Sequence, residues 1–179
     1  MAEEGYAGAS LARIAQRAGI SKSVLLYHFS GKNALLETTV TQIYGEIWDY
    51  LRPGFEQETT ARGQLLTYIA AEFTFMAQNR TRLLALSYLL TNHRDRDGVL
   101  YLREQAEKAY LQSVGKILEQ GQQNGEFRDF ALQPMAATLM HAINGALEQW
   151  VAHPELSLHE YERELVTTFD LATRKQPGS

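Results

Sequence analysis

Residues 10–29 constrain this chain more than any other stretch. Leu11, Ile14, Ala15 and Ala18 recur at helical spacing, and Gly19 follows them. Glycine adopts the left-handed conformation that ends a helix at little cost. Ser10 and Ser21 each stand just before a helical run, where a serine hydroxyl accepts from an orphan amide of the first turn. The spacing predicts a short helix, a glycine turn and a second short helix carrying Val24, Leu25, Tyr27 and His28. Two helices joined this tightly form the helix-turn-helix pattern, whose second helix enters the major groove of duplex DNA.

The rest of the chain continues the helical period, and no strand alternation interrupts it. Ser30 is placed to cap a long helix over 32–51. Its stripe is Leu36, Val40, Ile43, Ile47 and Leu51, and Pro53-Gly54 is expected to end it. A helix from about residue 60 to 78 puts Leu65, Ile69, Phe73 and Met76 on one face. Residues 80–91 are apolar nearly all round, which predicts a central helix. A polar loop leads to a long helix over 98–124, with Asp97 as its cap and Gly125 as its stop. Pro134 opens a helix reaching 152, with the proline in the first turn where its missing amide costs least. A last helix covers 158–172. The fold class is all-α, with a helix-turn-helix domain at 1–45 and a helical ligand-binding and dimerisation domain at 46–175.

The net charge is −4, but its distribution is uneven. Residues 1–36 carry Arg13, Arg17, Lys22 and Lys32 against Glu3 and Glu4, and the remainder is acidic. A basic head on an acidic body suits a DNA-reading module attached to a body with another task. There is no cysteine, which excludes disulfides and thiolate metal sites. No run approaches the ~18 apolar residues of a membrane span, and the start lacks the order of a signal peptide. These features predict a cytoplasmic protein with no membrane partner.

Several suggestive groups have bland explanations. His93-Arg94-Asp95 has neither the glycine-rich loop nor the metal-binding Asp-Phe-Gly of a kinase beside it. The spacing from His93 to Glu104 echoes a calcium loop, but a histidine replaces the first carboxylate and two arginines crowd it. His141, His153 and His159 lack the i, i+4 spacing of a helical zinc pair. Neither a nucleophile elbow nor a phosphate-binding loop is present. The reading is a non-enzyme that needs no metal or cofactor.

The residues Glu4-Gly5-Tyr6, Ser10, Ile14-Ala15, 18–22, Leu25, 27–29, Lys32 and Leu35 resemble the TetR family of bacterial transcription regulators. The resemblance is dense over 4–36. It implies an all-α homodimer, a repressor of a palindromic operator, released by a small-molecule inducer. Ser10 and Lys32 then reach phosphates, and Lys22, Ser23, Val24, Tyr27 and His28 lie on or beside the recognition helix. Phosphate contacts position such a protein and base-edge contacts specify its sequence. Two departures stand out. Leu26 replaces an aromatic, so one phosphate contact is lost or passes to Tyr27. The family also has a supporting helix before the Glu-Gly-Tyr turn, where only Met1-Ala2-Glu3 stand here, so the true start is expected upstream. The alternative is a helical ligand-binding or scaffold protein that has lost DNA binding.

Within the body, an effector site is expected from apolar and aromatic groups with a few placed polar ones. Phe73, Met76, Tyr88, Tyr101 and Met140 supply the first kind. Gln105, His141 and Asn144 supply the second. Leu139, Ile143, Leu147 and Trp150 form one stripe, and Leu158, Tyr161, Leu165 and Phe169 another. Two such helices per subunit, packed on their symmetry mates, make a four-helix dimer interface.

Overall fold

The computed structural model describes residues 10–94 and 100–175, apart from the side chain of Tyr101. Eight helices lie within the described residues: α1 (Leu11–Arg17), α2 (Lys22–His28), α3 (Lys32–Glu56), α4 (Ala61–Gln78), α5 (Arg80–Asn92), α6 (Tyr101–Gln123), α7 (Leu132–Ala152) and α8 (Leu158–Thr173). The proposed cap Asp97 and the Glu4-Gly5-Tyr6 turn lie outside the described residues. None of the helices described is long and apolar enough to cross a membrane.

Hydroxyl caps set four of the eight helix starts. The Ser10, Ser21, Thr60 and Ser157 side chains accept from the amides of Arg13, Val24, Gly63 and Glu160. Gly19 takes φ +68° after α1, and the Ile20 amide reaches back to the Ala15 carbonyl at 3.0 Å. Gly125 takes φ +73° after α6. Pro53 does not end α3, as its sequence position suggested; the helix runs through it to Glu56. Proline removes one backbone bond and crowds the turn before it. The extra turn is held by Phe55, whose ring lies 5.4 Å from that of Trp48, and by buried Leu51 beneath it.

The chain forms two compact units. One holds residues up to Glu46 together with Arg80–Ala106; the other holds Ile47–Asn79 and Glu107 onward. The division thus falls within α3, and residues 80–106 go with the N-terminal unit rather than with the 46–175 body. In that unit α1 packs against α2, and Leu36, Val40 and Ile43 are buried along α3. Burying each such side chain contributes about 1.5–3 kcal/mol. α5 is not hydrophobic on every side in practice. Leu83, Leu86 and Leu89 are buried while Tyr88 is exposed, because helical geometry turns only every third or fourth residue inward. The Arg82 guanidinium donates to the Glu46 carboxylate in the same unit.

In the second unit α4 packs chiefly on α8 and also touches α7. Leu65, Ile69, Phe73 and Met76 of α4 are buried, together with Leu139, Ile143 and Phe169. The segment after α6 ties this unit together. Glu126 accepts from the amides of Ala61 and Arg62, at 3.1 and 3.0 Å, capping α4 from a distant part of the chain. The Arg128 amide donates to the Thr173 carbonyl and its guanidinium to the Ala172 carbonyl. Arg62 makes a bidentate pair with Asp170 at 2.5 and 2.9 Å.

Candidate nucleic-acid interface

Helix α2 is anchored by one buried side chain, Leu25. Two other contacts define its frame: the Phe29 amide donates to the Leu25 carbonyl, and the Ser21 and Ser23 hydroxyls are 2.8 Å apart. Everything else on α2 is turned outward. Lys22, Ser23 and His28 are exposed, Val24 is 44% exposed and Tyr27 is 85% exposed. The Tyr27 ring stands edge-on to that of His28 at 5.1 Å. An aromatic ring left this open beside donors and a cation is suited to a polar partner surface that also offers apolar contact. DNA bases offer both.

The flanking residues extend the same surface. Ser10 is exposed, though its hydroxyl already caps α1. Lys32 opens α3 and is half-buried, and this partial burial lowers its pKa. A phosphate beside it would favour the charged form and oppose that shift. Ile20 and Leu26 are also exposed apolar residues here; Leu26 stands where the resemblance places a phosphate contact, whereas Ile20 was not expected at the surface. For Leu26 the signal lies in the helical period: with Leu25 turned inward, its neighbour sits about 100° round the helix.

The residues expected at an effector site do not all share one unit. Phe73, Met76 and Met140 are buried in the second unit. His141 and Asn144 are in the same unit but exposed. Tyr88 and Gln105 are exposed and belong to the N-terminal unit. The Tyr101 side chain lies outside the description.

Three residues assigned to a dimer face need correction. Leu139, Ile143 and Phe169 are 1%, 3% and 4% exposed within the single chain, so they have no surface left for a partner. They are drawn inward because α7 and α8 both pack on α4. Leu147, Trp150, Leu158, Tyr161 and Leu165 remain partly exposed. No group of three His, Asp or Glu side chains among the described residues is placed to hold a metal ion.

Comparison with known proteins gives a consistent frame. Residues 1–39 match the model of bacterial regulatory proteins of the tetR family. The fatty acid metabolism regulator protein of Bacillus subtilis is 24% identical over 132 residues, 72% of this chain and 66% of that protein. The chain thus spans just under two thirds of that relative. A crystal structure described as a TetR-family transcriptional regulator from Rhodococcus sp. superposes with a TM-score of 0.83 at 23% identity, covering 95% of this chain and 90% of that one. A transcriptional regulator from Saccharomonospora viridis, solved with choline, gives a TM-score of 0.81 at 19% identity over 98% and 92% of the two chains. The head thus matches the tetR family model over residues 1–39, and the fold is shared with these solved structures over nearly the whole chain.

Proposed function

We propose that this protein is a ligand-responsive transcriptional regulator that binds a palindromic operator as a homodimer and represses until a small molecule releases it. The observation that carries the reading is α2, held by Leu25 alone and presenting Lys22, Ser23, Val24, Tyr27 and His28 to solvent. Lys22 donates to a guanine edge or a phosphate, and Val24 meets a thymine methyl. Ser10 and Lys32 position the head on the backbone. A two-fold dimer sets two such helices about 34–36 Å apart, one turn of DNA.

The partly exposed Leu147, Trp150, Leu158, Tyr161 and Leu165 supply an apolar dimer face on α7 and α8. The effector binds in the helical body. That a related fold was solved with choline supports a small-molecule site in this one. An effector works only by favouring the state that does not bind DNA. α3 is the helix that carries the chain from the head into the second unit, so it is the natural element to transmit the difference.

The test is a mobility-shift assay with the gene's own promoter region at fixed salt. The wild-type chain is expected to prefer it over random duplex. Lys22→Ala and Tyr27→Ala are each expected to weaken binding tenfold or more, about 1–3 kcal/mol, with the dimer intact by sedimentation. Equal binding by the variants, or no preference in the wild type, overturns the reading.

A further inference from the structure

The inward side of α4 carries two groups that a plain core would not, buried Tyr68 and half-buried Glu72. Tyr68 lies between Leu65 and Ile69 and is buried with them. One turn on, its hydroxyl donates to Oε1 of Glu72 at 2.7 Å. The ring of Tyr110, on α6 in the same unit, stands edge-on to Tyr68 at 5.9 Å. The Tyr110 hydroxyl is buried and faces that of Tyr68, but makes no well-formed hydrogen bond among the described residues. Glu72 has no cationic partner among them either.

Such a set is costly unless something completes it. A buried hydroxyl left without a good hydrogen bond forfeits up to about 1–3 kcal/mol, and a carboxylate drawn largely out of water is normally paired. Burial raises the Glu72 pKa, against the opposing pull of the Tyr68 hydrogen bond. Burial likewise raises those of both tyrosines. A carboxylate, a hydroxyl and two aromatic rings at one place are the groups that hold an organic cation, through charge, hydrogen bonding and the ring faces. A fatty-acid carboxylate would meet Glu72 with like charge. A purely apolar ligand would leave both polar groups uncompensated.

We propose that Tyr68, Glu72 and Tyr110 form the polar end of the effector site, and that the effector carries a positively charged nitrogen. The proposal rests on the ligand-responsive reading above and narrows its ligand class. Among the residues first expected at that site, Phe73 and Met76 adjoin this cluster in sequence, while its three members carry the chemistry.

The experiment is calorimetric titration of the full chain with three ligands of equal chain length: hexyltrimethylammonium, hexanol and hexanoate. The cation is expected to bind at least tenfold tighter than either of the others. Glu72→Gln is expected to erase that preference, and Tyr110→Phe to weaken the cation several-fold; circular dichroism checks that both variants fold. Should Glu72→Gln misfold, the Tyr110→Phe result and the three-ligand ranking still decide. A ranking without preference for the cation, or cation binding unchanged in the folded variants, overturns the proposal and marks the cluster as structural only. That outcome, with promoter binding still sensitive to Lys22→Ala, leaves the regulator reading standing. Selective cation binding by a chain that shifts no DNA does the reverse.

Discussion

Glu126→Ala tests how α4 is held in register with the segment after α6. Glu126 accepts from the amides of Ala61 and Arg62, the first two residues of α4. The two amides differ in what happens when the carboxylate is removed. Ala61 is 1% exposed, so its N–H loses its partner with little access to water. That costs about 1–3 kcal/mol. Arg62 is exposed, and water replaces most of what it loses. The negative charge at the helix N-terminus contributes a further ~0.3–1 kcal/mol, while the Thr60 hydroxyl on Gly63 survives. The sum is about 1.3–4 kcal/mol, or roughly 3–16 °C in Tm for a chain this size. Glu126→Gln keeps an acceptor for Ala61 and should cost less than half as much. Thermal unfolding gives the global figure, and hydrogen exchange at Ala61 and Arg62 the local one. A shift under about 2 °C for the alanine variant, or equal damage from glutamine, refutes the reasoning.

Gly121→Ala places a methyl group against the buried ring of Phe127, which has nowhere to move without leaving the core. Overpacking of this kind costs about 1–3 kcal/mol, read as a lower urea midpoint; failure of Phe127→Leu to relieve it in the double variant would show that the ring is not the obstacle. Asp170 is held below the usual carboxylate range, first by its hydrogen bond from Arg62. Its ionised form therefore stabilises the fold above the carboxylate's unfolded pKa, and that contribution is lost as pH falls through the lower folded value. Asp170→Asn should accordingly destabilise the protein at neutral pH, with the gap from wild type closing in strong acid; a gap independent of pH would mean that the pair's charge contributes nothing.

Much of the local structure was legible because it depends on neighbours in sequence. Ser10 and Ser21 cap helices through amides three residues on, and Gly19 and Gly125 end helices because they tolerate positive φ. The stripe Leu36, Val40, Ile43, Ile47 and Leu51 is buried throughout, as its period predicts. The outward set on α2 follows from the same geometry once Leu25 is turned in. Pro53 and α5 misled for one reason: whether a helix continues, or which of its apolar residues is covered, depends on what packs against it.

The sequence by itself determined the helix-turn-helix head, its Ser10 and Ser21 caps and the all-α class, since each follows from backbone chemistry and a 3.6-residue period. Only the tertiary structure decided which apolar stripes are used up inside the chain. Leu139, Ile143 and Phe169 read like an exposed interface, but they are buried within the single chain. Likewise, only the fold brought Glu126 to the start of α4 and Tyr110 beside Tyr68 and Glu72. Contacts between residues so far apart in sequence leave no periodic trace, because they are set by how helices pack.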